Sequence, residues 1–545
     1  MAFFNLFLAA PTVLLVVLAG TYLWTNIRYR LALRSTKAVH EPPHLPYAIP
    51  WLGSSLEFLD QNVGGFYHKL FRRHPRDAGA CTALLGGDSI HLLNSPTAVQ
   101  AMFKLKNEVA NRDSMNRNIM LNCCGMSAED YDKYGPEYHQ DHQLSQEFLL
   151  RQSNANELGI EFARCLRDVL LSELRAIGGE QKATKRVELY DWLRTAMFKA
   201  SATTYMGDHV LKSYPDFATD FIAWDSGFLD LMFGFGKLMA PKAHAAREKA
   251  IAGITKWIED VDRLTEGKCP YPNDPNVAWE PNWGSRLSRG RQQLWHDLGL
   301  SQRGRASAEL GISFGLNSNA IPATNWMLLH ILDPKTPDIL PRVLAEIKTA
   351  AVVNADDTIT LDIQKLASQP LLQSIFHETL RRYTDVMVTR ELFDDVKLPL
   401  DDNDKESSRS LLLKKGSMVI APSLMNHWDS TFYVDPPADV FYAERFLAPA
   451  SSEKKEIGEY VFSTAAAGNR MWPWGGGKTI CPGRLFAKQE AMAAVAMTLL
   501  SFDIEPVDKT SFKIPGLAKS NPGSVSLAPN GDVEVWLRPK SKSES

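Results

Sequence analysis

A mainly α-helical domain with minor β-sheet, preceded by a single N-terminal transmembrane helix, is the fold class that this 545-residue chain predicts. Three observations predict it. Ala2 to Trp24 holds no charged residue and is rich in Phe, Leu and Val, long enough to cross a bilayer as a helix. Much of the remainder sets apolar residues at helical spacing, as at Leu372, Ile375, Phe376, Leu380 and Tyr383, or at Met492, Val495, Ala496, Leu499 and Leu500. Strand-like runs are short and few: Thr82–Leu85 with His91–Leu93, Val386–Arg390, Ser417–Ile420 and Val533–Leu537.

At the N-terminus, Arg28, Arg30, Arg34 and Lys37 follow the apolar run, and positive charge flanks the cytoplasmic side of a span. A cleaved signal peptide carries its charge before the apolar run, so the order here favours an uncleaved anchor with a cytoplasmic body. Pro42, Pro43, Pro46 and Pro50 then make a stiff connector. The expected division is an anchor over 1–26, a basic and proline-rich linker over 27–53, one catalytic domain over 54–539 and a polar tail over 540–545. The formal net charge of −3 gives no global basic field for nucleic acid. The six cysteines form no CxxC pair and are too sparse for a disulfide framework, which fits a body on the reducing side of a membrane.

The most informative segment is Trp472-Pro473-Trp474-Gly475-Gly476-Gly477-Lys478-Thr479-Ile480-Cys481-Pro482-Gly483-Arg484. Consecutive glycines let a backbone turn tightly and approach a flat partner. Pro482 suits the first position of the following helix. Cys481 would then lie at a helix N-terminus, where the macrodipole and unpaired N–H groups favour thiolate. Such a thiolate is what a haem iron takes as an axial ligand. Taken alone, a buried structural cysteine is the commoner reading. Two further motifs shift the balance. In His377-Glu378-Thr379-Leu380-Arg381, Glu378 and Arg381 are helix-surface neighbours able to pair. Phe441-Tyr442-Ala443-Glu444-Arg445-Phe446 offers a second arginine, and one carboxylate shared by two guanidinium groups is geometrically reasonable.

ExxR at Glu378/Arg381, ERF at Glu444–Phe446 and the cysteine turn occur in that order, and with the anchor and proline hinge they resemble a microsomal cytochrome P450. The resemblance covers the chain after the anchor. It is greatest to the branch of sterol 7α- and 12α-hydroxylases and prostacyclin synthase, through Thr479 to Ala487 and Asn319-Ala320-Ile321-Pro322-Ala323-Thr324. It implies the cytochrome P450 fold, haem (iron protoporphyrin IX) as cofactor and Cys481 as its ligand. Glu378, Arg381 and Arg445 become a triad holding the haem-binding loop. Trp474 stands in the aromatic position that opens the haem turn, with Gly477 in that turn. Thr479 falls where the family often places an Arg or His for a haem propionate; Lys478 is the expected replacement, and Arg390, in the strand after the ExxR helix, resembles the family's other propionate partner. The tryptophan-containing propionate motif expected within 138–146 is absent.

By the same resemblance, Ala306 to Leu332 is one long helix over the haem. Its usual acid–alcohol pair is missing: aligned on Ile-Pro-Ala-Thr, Ser318 occupies the acid slot and Asn319 the alcohol slot, whereas counting back from Asp333-Pro334 puts Ser318 in the alcohol slot. Pro322 should kink the helix, because it lacks an N–H for the Ser318 carbonyl. A local packing kink is the competing reading. Segments 111–121, 228–235, 314–319, 386–388 and 516–524 should line the pocket. The apolar residues from Trp224 to Phe235 would line it, touch the membrane surface or pack in the core. Lys478, Arg484 and Lys488 would face a flavoprotein reductase or solvent.

The expected function is a membrane-anchored, endoplasmic-reticulum monooxygenase. It would oxidise a lipophilic terpenoid, steroid or polyketide with dioxygen and electrons from an NADPH-dependent reductase, in secondary-metabolite biosynthesis. A haem-thiolate isomerase or dehydratase needing no dioxygen, and a haem sensor without catalysis, are the alternatives.

Overall fold

The computed structural model describes residues 2–540 except 36, 75–77, 177–183, 269–273, 275, 355–357, 401–408, 451–459, 509, 511 and 521. Of the expected tail at 540–545, residues 541–545 lie outside the described residues. Lys540 is pinned instead: its N–H donates to the Ser501 carbonyl at 3.0 Å and its ammonium to the Leu499 carbonyl at 2.7 Å.

Helix α1, Ala2–Leu33, extends beyond the apolar run through Arg28 and Arg30. Among the described residues no helix is long and apolar enough to cross a membrane. The side chains of residues 2–10, which open the expected anchor, lie outside those described. The C-terminal part of α1 is tied to the body. The Thr25 hydroxyl donates to the Tyr47 carbonyl at 2.9 Å, and the buried Tyr29 hydroxyl lies 2.9 Å from Nδ1 of His74. The proline segment is also anchored, because Leu45 N–H donates to Thr82 and Thr82 N–H donates to Pro43.

Five strands form the main sheet: β1 Ala80–Leu85, β2 Asp88–Leu93, β3 Ala110–Asn111, β4 Met387–Leu392 and β5 Met418–Pro422, in the order β1-β2-β5-β4-β3. Strand β5 runs antiparallel to β4, with Arg390 opposite Val419, and parallel to β2, with Met418 opposite Ile90. A second sheet pairs Glu534–Pro539 with Phe502–Pro506 and Lys185–Glu188. The short strands expected from sequence all form.

The helices that position the site are α2 Pro96–Phe103, α3 Gln152–Ala176, α4 Leu189–Met206, α5 Phe217–Ser226, α6 Pro241–Leu264, α7 Gln302–Asn317, α8 Ala320–Ile331, α9 Pro370–Tyr383 and α10 Arg484–Ser501. Helix α10 packs against α3 and α8. It is buried all round rather than along one stripe: Ala491 through Ala496 are all fully buried. Its alanines allow close approach from every side, the pattern of a helix inside a large core.

The single long helix expected over 306–332 is two helices. The break falls at Ser318 and Asn319, where Asn319 caps α8 with φ −106° and ψ −42°. Pro322 therefore sits in the first turn of α8. Backbone N–H groups in a first turn have no intrahelical partner, so a proline there forfeits no helix bond. A break places Pro322 without the clash that a kinked continuous helix would carry.

Candidate active site

Cys481 lies in the loop before α10, with Gly483 as N-cap, so Pro482 precedes the cap rather than occupying the first helical position. Cys481 N–H donates to the Trp474 carbonyl at 3.0 Å, Gly475 N–H to Trp472 at 3.1 Å and Ile480 N–H to Gly477 at 3.1 Å, closing the turn on itself. The Gly483 and Arg484 N–H groups and the Arg484 and Arg112 cations favour the Cys481 thiolate. Burial is larger, however, and pushes the thiol above its ordinary range. The helix end alone therefore does not produce the expected thiolate; a coordinated cation does so outright.

The glycines serve a different neighbour than expected. A Cβ on Gly476 would come within 2.3 Å of the Phe103 ring, and one on Gly477, at φ +68°, within 2.3 Å of the Phe103 carbonyl. The turn is thus seated on the end of α2. Gly477 is a backbone requirement of this packing. Trp474 rests beside Phe376 of α9, ring centroids 6.2 Å apart.

Glu378 and Arg381 are fully buried in α9. Arg381 grips Glu378 with two parallel bonds of 2.7 and 2.8 Å, and Arg445 adds bonds of 3.0 and 3.1 Å to the same carboxylate. The remaining guanidinium donors reach the carbonyls of His427, Pro436, Pro437, Ala438 and Val440. Both arginines stand over the Tyr433 ring. The triad therefore organises the 436–442 segment, and its donors are engaged by protein. Its connection to the cysteine turn is relayed: Arg381 holds the His427 carbonyl at 2.8 Å, and Nε2 of His427 accepts from Trp472 N–H at 3.1 Å. His427 is neutral, since burial pushes it down to about 3.

Arg390, on β4, donates to the Gly476 carbonyl at 3.0 Å and to the Thr479 hydroxyl at 2.7 Å. Burial, with the Arg112 cation beside it, pulls Arg390 down to about 10. Arg112 acts on Arg390 and on Cys481. Among the described residues neither arginine has a carboxylate partner. Two guanidinium groups around the Cys481 turn, without carboxylate partners among the described residues, fit the haem that the resemblance implies, a group bearing carboxylates and a metal that takes a thiolate. Sequence reading missed Arg112 because no motif marks it; it joins the site only through folding of the chain after β3. Lys478 is exposed with no ion pair among the described residues, Arg484 donates to the Cys481 carbonyl at 2.9 Å, and Lys488 donates to Gln373 at 2.6 Å.

On the other side, the expected pocket segments are joined to one another. Asn118 donates to the Met232 carbonyl at 2.9 Å, and Phe228 stacks on Phe314 with centroids 4.0 Å apart. Just outside the expected bounds, Ser526 donates to the Asn319 carbonyl at 3.0 Å, and Gly523 N–H donates to Asp385 at 3.1 Å. Trp224, Phe228 and Leu231 are buried core, and the Trp224 indole donates to the Cys123 carbonyl. Open space faces α7 at Gly315, where an added Cβ would meet nothing within 4 Å. Asn319, four residues on, has an amide with no hydrogen-bond partner among the described residues. Ser318 instead turns to Asp225, with its hydroxyl 2.6 Å from Oδ1.

The sequence pattern described as Cytochrome P450 matches residues 318–533, from the helix break to beyond the Cys481 turn. Similar proteins align over nearly the whole chain. Cytochrome P450 monooxygenase calL of Penicillium decumbens is 26% identical, covering 91% of this chain and 93% of its own. Cytochrome P450 monooxygenase fsoE of Humicola fuscoatra is 27% identical, over 91% and 87%. Prostacyclin synthase of Bos taurus is 27% identical, over 92% and 95%.

Proposed function

We propose, from the Cytochrome P450 pattern over residues 318–533 and the similarity to fungal monooxygenases, that the chain is a haem-thiolate monooxygenase of the cytochrome P450 family that hydroxylates or otherwise oxidises a lipophilic small molecule such as a terpenoid, steroid or polyketide. The balance is one dioxygen, two electrons and two protons, converting a substrate C–H to C–OH and releasing water. The electrons would come from an NADPH-dependent flavoprotein reductase. The apolar run from Ala2 to Trp24 supports an anchor in the endoplasmic reticulum membrane, with the body on the cytoplasmic side. The secondary-metabolite setting rests on the similarity to fungal monooxygenases.

Haem supplies the dioxygen activation that no side chain can perform. The chain contributes the rest. Cys481 offers the thiolate ligand, and the Gly483 and Arg484 N–H groups stabilise its charge. Arg112 and Arg390 would take the propionates, and Arg390 fixes the cysteine turn through Gly476 and Thr479. The Phe228–Phe314 stack would back the apolar wall expected for a lipophilic ligand.

The observation that carries this reading is the Cys481 thiol, solvated by the Gly483 and Arg484 N–H groups and acted on by Arg112, in a turn held by Arg390, with neither Arg112 nor Arg390 paired to a carboxylate among the described residues. Purified protein reduced under carbon monoxide should show the red-shifted band of thiolate-ligated haem, and Cys481→Ala should lose it; an unchanged band would end the reading. A second reading, an isomerase or dehydratase, is favoured by Asn319 in place of an alcohol and by the similarity to prostacyclin synthase. Isotope from labelled dioxygen in the product supports the first, and turnover without reductase supports the second.

A further inference from the structure

An aromatic ladder joins α8 to the end of α9 and runs outward from the core. Trp326 and His330 are one turn apart on the same face of α8, and Tyr383 is the last residue of α9. The Tyr383 ring stacks on Trp326, with centroids 4.0 Å apart and planes 3° from parallel. Its hydroxyl lies 2.7 Å from Nε2 of His330. His330 in turn stacks on Phe441, at 3.5 Å and 5°. Trp326 is fully buried and Tyr383 nearly so, whereas His330 and Phe441 are partly exposed. One residue holds both inner rings in place. The Trp326 indole donates to the Leu527 carbonyl at 2.7 Å, and the Leu527 N–H donates to the Tyr383 carbonyl at 2.9 Å.

The two polar members of the ladder are matched as acid and base. Burial holds the Tyr383 phenol above its ordinary range, so it keeps its proton at neutral pH. Burial and the Arg382 cation hold His330 down to about 3, so its imidazole is neutral and offers a nitrogen lone pair. A phenol becomes far more acidic once it has lost an electron, and a base already bonded to it can take the proton as the electron leaves. The charged neighbours set how readily that happens. Arg382 stands 5.9 Å from the Tyr383 ring, and Glu378 and Arg381 also act on the phenol. Two cations against one carboxylate make electron loss costly, so only a strong oxidant draws on the pair.

We propose that Tyr383 and His330 are a redox-active pair, with Nε2 of His330 as the acceptor and Trp326 as the stacked relay, that draws unspent oxidising equivalents away from the haem. Tyr383 loses one electron, by way of Trp326, to the strong oxidant that hydrogen peroxide generates with haem. Its O–H bond breaks and the proton forms a new N–H bond on His330. The products are a neutral tyrosyl radical, an imidazolium and an oxidant reduced by one electron. A small thiolate returns the electron and becomes a thiyl radical, while the imidazolium returns the proton to the phenol oxygen. The proposal rests on the haem-thiolate monooxygenase reading, because that reading supplies the oxidant. None of the three side chains is a catalytic residue for substrate oxidation.

The test uses the full-length haem-loaded protein, mixed with hydrogen peroxide without substrate, rapidly frozen and read by electron paramagnetic resonance. The wild type should give a tyrosyl signal that Tyr383→Phe abolishes while the thiolate-type carbon-monoxide band remains. His330→Leu should slow formation of that signal at least about a hundredfold, the lower end of what a positioned base contributes. His330→Gln keeps a hydrogen-bond acceptor but no base, and should behave as His330→Leu does. Trp326→Phe should lower the radical yield. In the wild type the signal should form more slowly in deuterium oxide, because a proton moves with the electron. Tyr383→Phe should also lose haem absorbance faster under peroxide. Independently of any oxidant, the infrared C–O stretch of the Tyr383 phenol in the resting protein should shift in His330→Leu. A wild type that shows the thiolate-type band but no tyrosyl signal, or a signal unchanged in Tyr383→Phe, would overturn the pair alone. A wild type lacking the thiolate-type band would overturn the reading beneath it.

Discussion

Arg112 illustrates how a single residue acquires meaning from its neighbours. In isolation it is one of many arginines before a short helix. Beside Arg390 and Cys481 it adds a second positive charge to a pocket that already disfavours one, since Arg390 is pulled down to about 10. Like charges gathered without counterions raise the energy of the bare protein and lower it when an anion arrives. Arg112→Gln should therefore weaken haem retention by about 1.5–3 kcal/mol, the range for a hydrogen bond to a charged group. Haem transfer to an acceptor apoprotein should be faster by roughly one to two decades, while the Cys481 ligation band keeps its position. Gly477 is constrained more simply, by a positive φ and by the Phe103 carbonyl where a Cβ would stand.

At the scale of elements, α9 and the segment after Pro436 are joined by a carboxylate that accepts from both arginines. Ion pairs so deeply buried are costly to assemble and costlier to break, because the loss of one partner strands the others. Glu378→Gln leaves two guanidinium groups facing a neutral amide. It should destabilise the fold by about 3–5 kcal/mol, read from the denaturation midpoint. Because Arg381 reaches the cysteine turn through His427 and Trp472, the same substitution should lower haem occupancy in the protein that does fold. Helices α7 and α8 show the opposite strategy. There the chain accepts a broken helix at Ser318–Asn319 rather than a strained continuous one, which puts Pro322 in the first turn of the second helix.

For the whole molecule, buried ionisable groups oppose one another in their effect on stability. His91 and His377 are held down to about 4, and His330 and His427 to about 3, so each binds fewer protons folded than unfolded. Their contribution grows as pH rises toward 6.5 and is constant above it. Glu490, inside α10, is pushed up to about 8 and Glu309 up to about 7. Each binds more protons folded, so its contribution is full below the unfolded carboxyl pKa and is lost as pH rises through the folded value. Between pH 7 and 8 the histidines no longer vary; Glu490 and Glu309 lower stability across the interval, and Lys488, pulled down to about 8 by burial, opposes them near its upper end. Thermal midpoints should fall across that interval, and Glu490→Gln should flatten the decline and raise stability at pH 8. A profile with equal slope in the variant would show that Glu490 is not responsible.

The chain's own residue order determined the mainly helical body, the short strands and the Glu378–Arg381 pair, because each depends on local spacing or on residues one helix turn apart; Arg445 and Cys481 were singled out only by the resemblance that the ordered motifs carry. Only tertiary structure brought Arg112 to the thiol, seated the glycines on Phe103, routed the triad to the turn through His427 and set Asp225 against Ser318. Those contacts join segments remote in sequence, whose meeting depends on how helices and sheet pack. Burial decided the electrostatics as well: the helix end that should ionise Cys481 is outweighed by desolvation, a quantity that exists only once the chain has closed around the sulfur.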